Sequence, residues 1–297
     1  MKKVFPCFKN LIVLMLVLMA TSLSAQTKME NPACTFTVDT LLWEPLVINA
    51  NTTLPETHQS YFIHKEKDLA MGIQAFFDNG MKTLPKIAED MIMLDPRTMT
   101  VLDTLYNPEH LFNKDLVYAQ YVKYSYETGL AELYDSYFFL SQNRIFCIFY
   151  YYKPNTILVQ EDFLGIATVL NTLQAKEIPA MHMKETALVD YFSQYADECK
   201  KGKGFNRGNR KDTFVSLNPD TKQLIIHVNC NTTNLEEIEQ LTQAFEDPEQ
   251  RLICAPEQPE VVRALQFGYK VIYRFFVPLN SIPIGAVSFT NADILRQ

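Results

Sequence analysis

Nine of the chain's 15 tyrosines fall within one short stretch: Tyr118, Tyr121, Tyr124, Tyr126, Tyr134, Tyr137, Tyr150, Tyr151 and Tyr152. A phenol ring joins an apolar body to a polar tip, so a row of them on an uncovered sheet face makes an aromatic platform for a glycan, a peptide or a protein partner. Between two covered faces the same residues are core and rim. Along residues 144–152 both faces read as apolar or aromatic, and either arrangement is open. Tyr124, Tyr126, Tyr150 and Tyr152 are the platform candidates.

A second cluster is basic. Residues 200–211 hold Lys200, Lys201, Lys203, Arg207, Arg210 and Lys211, and three of the nine glycines. Gly208 is followed by Asn209-Arg210 and by no capping hydroxyl, so a phosphate loop is not indicated. A segment this polar buries little surface and reads as a solvated linker. Its functional alternative is contact with an anionic surface through Lys200, Lys201, Lys203, Arg207 and Arg210.

Other chemistry is sparse. There is no Gly-x-Ser-x-Gly elbow, His-Glu-x-x-His helix, Cys-x-x-Cys pair or phosphate-loop signature. His58, His64, His110, His182 and His227 are scattered and read as local structural residues. His227 and Cys230, three apart on a strand, face opposite ways and make a poor metal pair. Glu236, Glu237 and Glu239 sit in the first turns of an expected helix, where carboxylates favour the dipole. No motif calls for a cofactor or a metal.

The N-terminus carries an address. Lys2, Lys3 and Lys9 precede an apolar run at 11–19, followed by small and polar residues to Ala25, the layout of a secretory signal peptide with cleavage after Ala25. The expected destination is periplasmic or extracellular, with nothing spanning the membrane once the signal is removed. Cleavage leaves Cys34, Cys147, Cys199, Cys230 and Cys254, an odd number. In an oxidising compartment Cys230 and Cys254 are the first pair to consider for a disulfide, and five thiols are the alternative. Asn51-Thr52-Thr53 and Asn231-Thr232-Thr233 match the N-glycosylation acceptor, or are turn and cap residues in a bacterium.

The elements that must position these residues follow from periodicity. Residues 116–126, 130–140 and 144–152, separated by Glu127-Thr128-Gly129 and Ser141-Gln142-Asn143, form an antiparallel meander. Phe163, Ile166, Leu170 and Leu173 give the next segment one apolar helical face. Upstream, 35–39 and 46–48 are short strands divided by Trp43-Glu44-Pro45. Leu69, Ile73, Phe76 and Phe77 have helical spacing, as do Leu84, Ile87, Met91 and Leu94, the latter stopped by Asp95-Pro96. Residues 98–105 read as a strand, and Leu188, Tyr191, Phe192, Tyr195 and Cys199 mark a helix.

Beyond the basic segment a hairpin at 213–217 and 223–229 turns through Asn218-Pro219-Asp220-Thr221. Thr233-Asn234-Leu235-Glu236 matches a capping box for a helix ending at Asp247-Pro248. A short helix near Val261 closes at Gly268, and strands follow at 269–279 and 282–289, Pro283 marking an edge. This strand, strand, helix, strand order is loosely similar to the C-terminal domain of TonB-type proteins, without their Trp-Pro-Ala type signature, and carries no function over.

The expected class is therefore α+β: residues 26–199 with a tyrosine-rich antiparallel sheet covered by helices, a linker at 200–211, and a smaller ββα(α)ββ unit at 212–297. The 297 residues, 47% hydrophobic and 21% charged, suffice for a core in each half. Removing residues 1–25 leaves 24 bases against 34 acids, a net of −10, which argues against a nucleic-acid partner. The leading expectation is an exported, non-catalytic binding or interaction protein whose partner is a protein, peptide or glycan. The alternatives are a hydrolase whose site joins His227 or His182 to a distant Cys, Ser or carboxylate, and a structural subunit of an envelope assembly that self-associates at the 282–289 edge.

Overall fold

The computed structural model describes residues 26–46, 58–93, 95–106, 115–126, 129–232, 235–247, 250–278 and 282–295. The signal segment, the Asn51 acceptor motif, His110 and the Thr233-Asn234 cap lie outside the described residues. The protein is α+β, with three sheets and, among the described residues, five α-helices. No described helix is long and apolar enough to cross a membrane.

The dominant sheet has seven strands in the order β3-β4-β5-β9-β8-β7-β6: β3 Trp43–Leu46, β4 His58–His64, β5 Leu69–Phe77, β6 Thr98–Tyr106, β7 Leu116–Tyr124, β8 Ala131–Ser141 and β9 Arg144–Tyr152. The expected meander is its centre. Gln142 and Asn143 both adopt positive φ (51° and 55°), the two-residue hairpin turn that matches strand twist, and they set Ser141 opposite Arg144.

One face of this sheet is closed by α2, Gln160–Thr172, and by a small sheet in which β2, Cys34–Asp39, pairs with β1, Gln26–Glu30, and β10, Gln174–Ala175. Ile166, Val169 and Leu170 of α2 and Phe36 and Val38 of β2 share a core with Met71, Ile73, Phe146 and Ile148. Trp43 is sealed there, and Gly165 makes room for it: a Cβ at that position would stand 2.6 Å from the indole Nε1. Among the described residues, the helix on the opposite face is α1, Leu84–Met93, whose Ala88 and Ile92 pack on Val117, Phe138 and Cys147.

Two upstream expectations are corrected. The 69–77 stretch, with helical spacing, is the interior strand β5; Leu69 through Ile73 are all buried, on one side by the core beneath α2 and on the other with the Phe149 ring lying over Gly72, so nearly every position is apolar and the period of two is hidden. The Trp43-Glu44-Pro45 breaker is itself strand β3, an edge where a proline's missing N–H costs no ladder bond.

The third sheet orders β11-β12-β13-β14-β15: β11 Asn206–Arg207, β12 Arg210–Asn218, β13 Gln223–Cys230, β14 Lys270–Phe276 and β15 Gly285–Phe289. β13 and β14 run parallel, joined through α4, Leu235–Glu246, and α5, Pro259–Gln266. The helix α3, Glu185–Lys200, packs here: Leu188 and Phe192 share a core with Val215, Leu224 and Leu265. Sequence order grouped α3 with the meander, yet its apolar stripe meets β12. The stretch expected as a linker holds the end of α3 and the β11–β12 hairpin, because its polar residues turn outward while Gly204 is buried against the Asp212 carbonyl.

Asp212 ties this layer together. It lies at a bulge in β12, where its carboxylate accepts from the Tyr195 hydroxyl of α3 at 2.6 Å and from Gln258 Nε2, just before α5, at 3.0 Å. Burial outweighs those two bonds and raises its pKa from 3.8 to about 6. The folded state thus holds this proton more tightly than the unfolded chain. Its contribution to stability is fully present below pH 3.8 and is lost as pH rises through about 6. Comparison of denaturant melts of the native protein and Asp212→Asn across that window should show the native protein losing roughly 3 kcal/mol more than the variant; parallel curves would contradict the assignment.

Candidate functional site

The uncovered part of the seven-stranded sheet is an aromatic groove of about 540 Å³. Strand pairing builds it in rows. Tyr121 of β7 stands opposite Tyr134 of β8, and Tyr134 opposite Tyr151 of β9. Their rings stack, with centroids 5.4 and 5.2 Å apart and planes within 12° and 16°. The adjacent row runs Leu46, Tyr61, Gly72, Phe149, Ser136. Gly72 explains how Phe149 lies across β5: a Cβ there would fall 2.3 Å from the ring's Cζ. The Phe149 ring then meets Tyr61 edge-on at 6.1 Å and Tyr134 at 5.8 Å.

Polar groups rim this floor. Gln74 Nε2 donates to the Tyr61 hydroxyl at 3.1 Å, which donates to Gln59 at 3.0 Å. Tyr121 and Ser136 share a hydrogen bond of 2.8 Å below the rings. Burial raises the pKa of Tyr121, Tyr134 and Tyr61, so these three phenols stay protonated at neutral pH. Asp95 anchors the cationic end: it accepts from Arg97 Nε and NH2 at 2.9 and 2.7 Å and from Lys123 Nζ at 2.7 Å. These bonds, Arg97's first, hold the Asp95 carboxyl well below the usual range. Lys123 Nζ also lies 5.2 and 5.0 Å from the ring centres of Tyr121 and Tyr134.

Tyr151 and Glu132 line the groove and also a neighbouring pocket of about 320 Å³ that holds His64, Lys67 and Lys153. His64 Nδ1 accepts from the Glu66 N–H at 3.1 Å, and Nε2 faces Asp162 at 3.5 Å. Both nitrogens are engaged, which leaves no lone pair for base chemistry. Asp162 in turn receives Lys67 at 2.7 Å and the Val159 N–H at the start of α2 at 2.7 Å. A larger cleft, about 680 Å³, lies between the seven- and five-stranded sheets; its walls include Lys82 and Asp90, paired at 2.6 Å, with Ile87, Arg210, Leu241 and Glu257.

The sequence-derived platform residues do not form one surface. Tyr124 and Tyr126 lie at the groove's rim, 40% and 72% exposed, packed edge-to-face at 5.5 Å. Tyr150 and Tyr152 point through the sheet to its closed side. Tyr150 is 4% exposed against Phe163 of α2, and Tyr152 donates to Asp135 at 2.9 Å beside Gln120 at 3.1 Å and Tyr118. Alternation makes this unavoidable, since Tyr151 between them faces the groove. A signal for this grouping was present in the sequence: the turn at Gln142–Asn143 sets Tyr134 opposite Tyr151.

Three of the five basic candidates are matched by acids. Lys200 pairs with Asp197 at 2.9 Å, and Lys201 and Lys203 with Glu198 at 3.1 and 4.0 Å. Arg207 pairs in register with Arg210, whose side chain lines the interlayer cleft. Cys230 and Cys254 are buried as thiols, not as a disulfide, on β13 and on the turn before α5. Burial pushes Cys147 up to about 12 and Cys34 and Cys199 to about 11, so these thiols are poor nucleophiles. His227 is flanked by Phe214 and Phe276 at 4.6 and 5.0 Å, and exposed His182 lies 3.6 Å from Glu177. Among the described residues no group of His, Cys, Asp or Glu is arranged to hold a metal ion.

No protein-family model matches the chain, and no curated protein matches it in sequence. Solved structures give weak similarity. A Bacteroides thetaiotaomicron protein aligns over 82% of this chain and 79% of its own at 10% identity, with a TM-score of 0.35. A mutant form of Mog1 aligns over 52% and 97% at 9% identity and 0.34, and a Pseudomonas aeruginosa protein of unknown function over 46% and 99% at 9% and 0.33. No family is shown. The site stands on its own geometry.

Gly72→Ala tests that geometry. The added Cβ must displace Phe149, an overpacking change of about 1–3 kcal/mol, and should lower the denaturation midpoint while disturbing the ring signals of Tyr61 and Tyr134. An unchanged midpoint with unchanged ring signals would mean that Phe149 does not lie over β5.

Proposed function

We propose that the protein is an exported, non-catalytic binding protein whose ligand is an elongated molecule laid in the aromatic groove. The observation that carries this is the groove's direction. It runs across the strands from Leu46 on β3 to Lys123 on β7. Five interstrand steps of ~4.8 Å make it about 24 Å long. A volume of about 540 Å³ spread over that length suits a chain better than a compact metabolite. Its polar groups are spread along the rim, which favours capture over acid–base work, where two or three groups must converge on one atom.

Export is supported by the N-terminal layout that ends at Ala25, and burial of the remaining cysteines is compatible with an oxidising compartment. We further read the chain as two α+β units meeting at the interlayer cleft, with α3 counted in the second because its apolar face belongs to that core. The groove lies wholly on the first unit. The second unit then serves as a scaffold or partner surface.

Immobilised glycan and peptide arrays, probed with the native protein, Tyr134→Ala and Tyr150→Phe, decide between this reading and its rivals. At least one immobilised chain should be retained by the native protein and Tyr150→Phe, and weakened at least tenfold, about 1.4 kcal/mol, by Tyr134→Ala. Retention unaffected by Tyr134→Ala would place the ligand elsewhere.

A further inference from the structure

We propose that the groove's occupant is a neutral linear oligosaccharide; the inference rests on the groove being the binding site. Charge is the first argument. Every cation along the groove and its side pocket already has an acid: Arg97 and Lys123 share Asp95, Lys67 holds Asp162 at 2.7 Å, and Lys153 holds Asp68 at 2.8 Å. Glu132 stands directly opposite Lys123 in the β7–β8 register. Two cations on one carboxylate leave a single surplus, and Glu132 offsets it. Such a surface has no net field with which to select a polyanion or a polycation.

The second argument is the backbone. A bound peptide gains much of its affinity by adding a strand to a sheet edge. This groove instead crosses the face of β4, β5, β9, β8 and β7, whose N–H and C=O groups are paired with one another. A peptide lying there would leave its own amides facing aromatic rings, at a desolvation penalty for each unpaired group. A sugar chain has no such backbone. Its donors and acceptors are hydroxyls on the rim of each ring, matched here by side-chain groups of several kinds: the phenol of Tyr134, the amide of Gln74, the carboxylate of Glu132 and the ammonium of Lys123.

Ring spacing supplies the third. Polyproline segments dock in aromatic-lined grooves, with their rings set between aromatic side chains. Tyr121, Tyr134 and Tyr151 are stacked at 5.2 to 5.4 Å, in contact, with no slot between them. Half-buried Tyr134 and Tyr151 offer edges and hydroxyls above the buried Tyr121 and Phe149, with the exposed ring of Tyr126 at one end. An apolar sugar face over the exposed Tyr126 ring and hydroxyls along Tyr134 and Tyr151 suit such a chain. The side pocket reached past Tyr151 and Glu132 gives room for a branch or a chain end.

Calorimetric titration of the full chain tests this with cellohexaose, maltohexaose, xylohexaose and mannohexaose as neutral probes, hexagalacturonate as the charged analogue, and decaproline as the peptide probe, each at low and high salt. The expected result is binding of at least one neutral hexasaccharide, with an affinity that changes less than twofold with salt. Tyr134→Ala, and separately Tyr61→Ala in case the first variant is unstable, should weaken it at least tenfold; Tyr150→Phe should not. Binding of none of the neutral chains overturns the inference. Binding of hexagalacturonate alone, with strong salt dependence, or of decaproline alone, also overturns it but leaves the groove reading standing if Tyr134→Ala abolishes that binding. A neutral chain that binds equally well to both groove variants overturns the groove reading itself.

Discussion

A seven-stranded sheet is about 29 Å wide, six interstrand steps of ~4.8 Å, and it has two faces to cover. The described residues cover one and part of the other. On the closed side, α2 and the β1-β2-β10 sheet together seal Met71, Phe146 and Ile148. On the other side the only described helix is α1, ten residues and therefore about 15 Å long. It spends its apolar stripe on Val117, Phe138 and Cys147. What lies beyond its reach must be stable while open to water, and the rest of the site follows from how the sequence meets that demand.

Tyrosine meets it better than phenylalanine or leucine, because each ring can pack sideways and still present a hydroxyl. Stacking Tyr121, Tyr134 and Tyr151 turns their faces toward one another and leaves edges outward. The ring with no hydroxyl, Phe149, is laid down over Gly72 and is buried in spite of its position. Asp95 draws Arg97 and Lys123 to the same end, where Lys123 lies over the Tyr121 and Tyr134 rings and Glu132 opposite it offsets the surplus charge. Opposite, Asp135 gathers Tyr118, Gln120 and Tyr152, joining β7, β8 and β9 from the closed side. Polar ties thus join the strands from both sides of the sheet.

Much of this was legible in the sequence where local signals were strong. The meander, α2, α3, the β12–β13 hairpin and α5 fall where turn residues and helical spacing put them. β5 was not legible, because an interior strand buried from Leu69 through Ile73 is apolar at Leu69, Ile73, Phe76 and Phe77 for reasons unrelated to helical period. α3 was placed on the wrong neighbour, since its stripe of Leu188, Phe192 and Cys199 records that it packs but not against what. Of the four platform tyrosines, Tyr124 and Tyr126 reach the groove, while Tyr150 and Tyr152 are on the far side. Counting outward from Gln142–Asn143 would have separated them, as hairpin register carries face information that composition lacks.

The central claim is that one aromatic face of the sheet is open while the other is shut. Solvent paramagnetic relaxation of isotope-labelled tyrosine ring signals, with a soluble neutral gadolinium chelate as probe, measures this directly. The account predicts strong broadening for Tyr126 and Tyr124, intermediate broadening for Tyr134, Tyr151 and Tyr61, and little for Tyr150. Protection of Tyr134 and Tyr151 equal to that of Tyr150 would mean that the groove is covered, and would contradict the account.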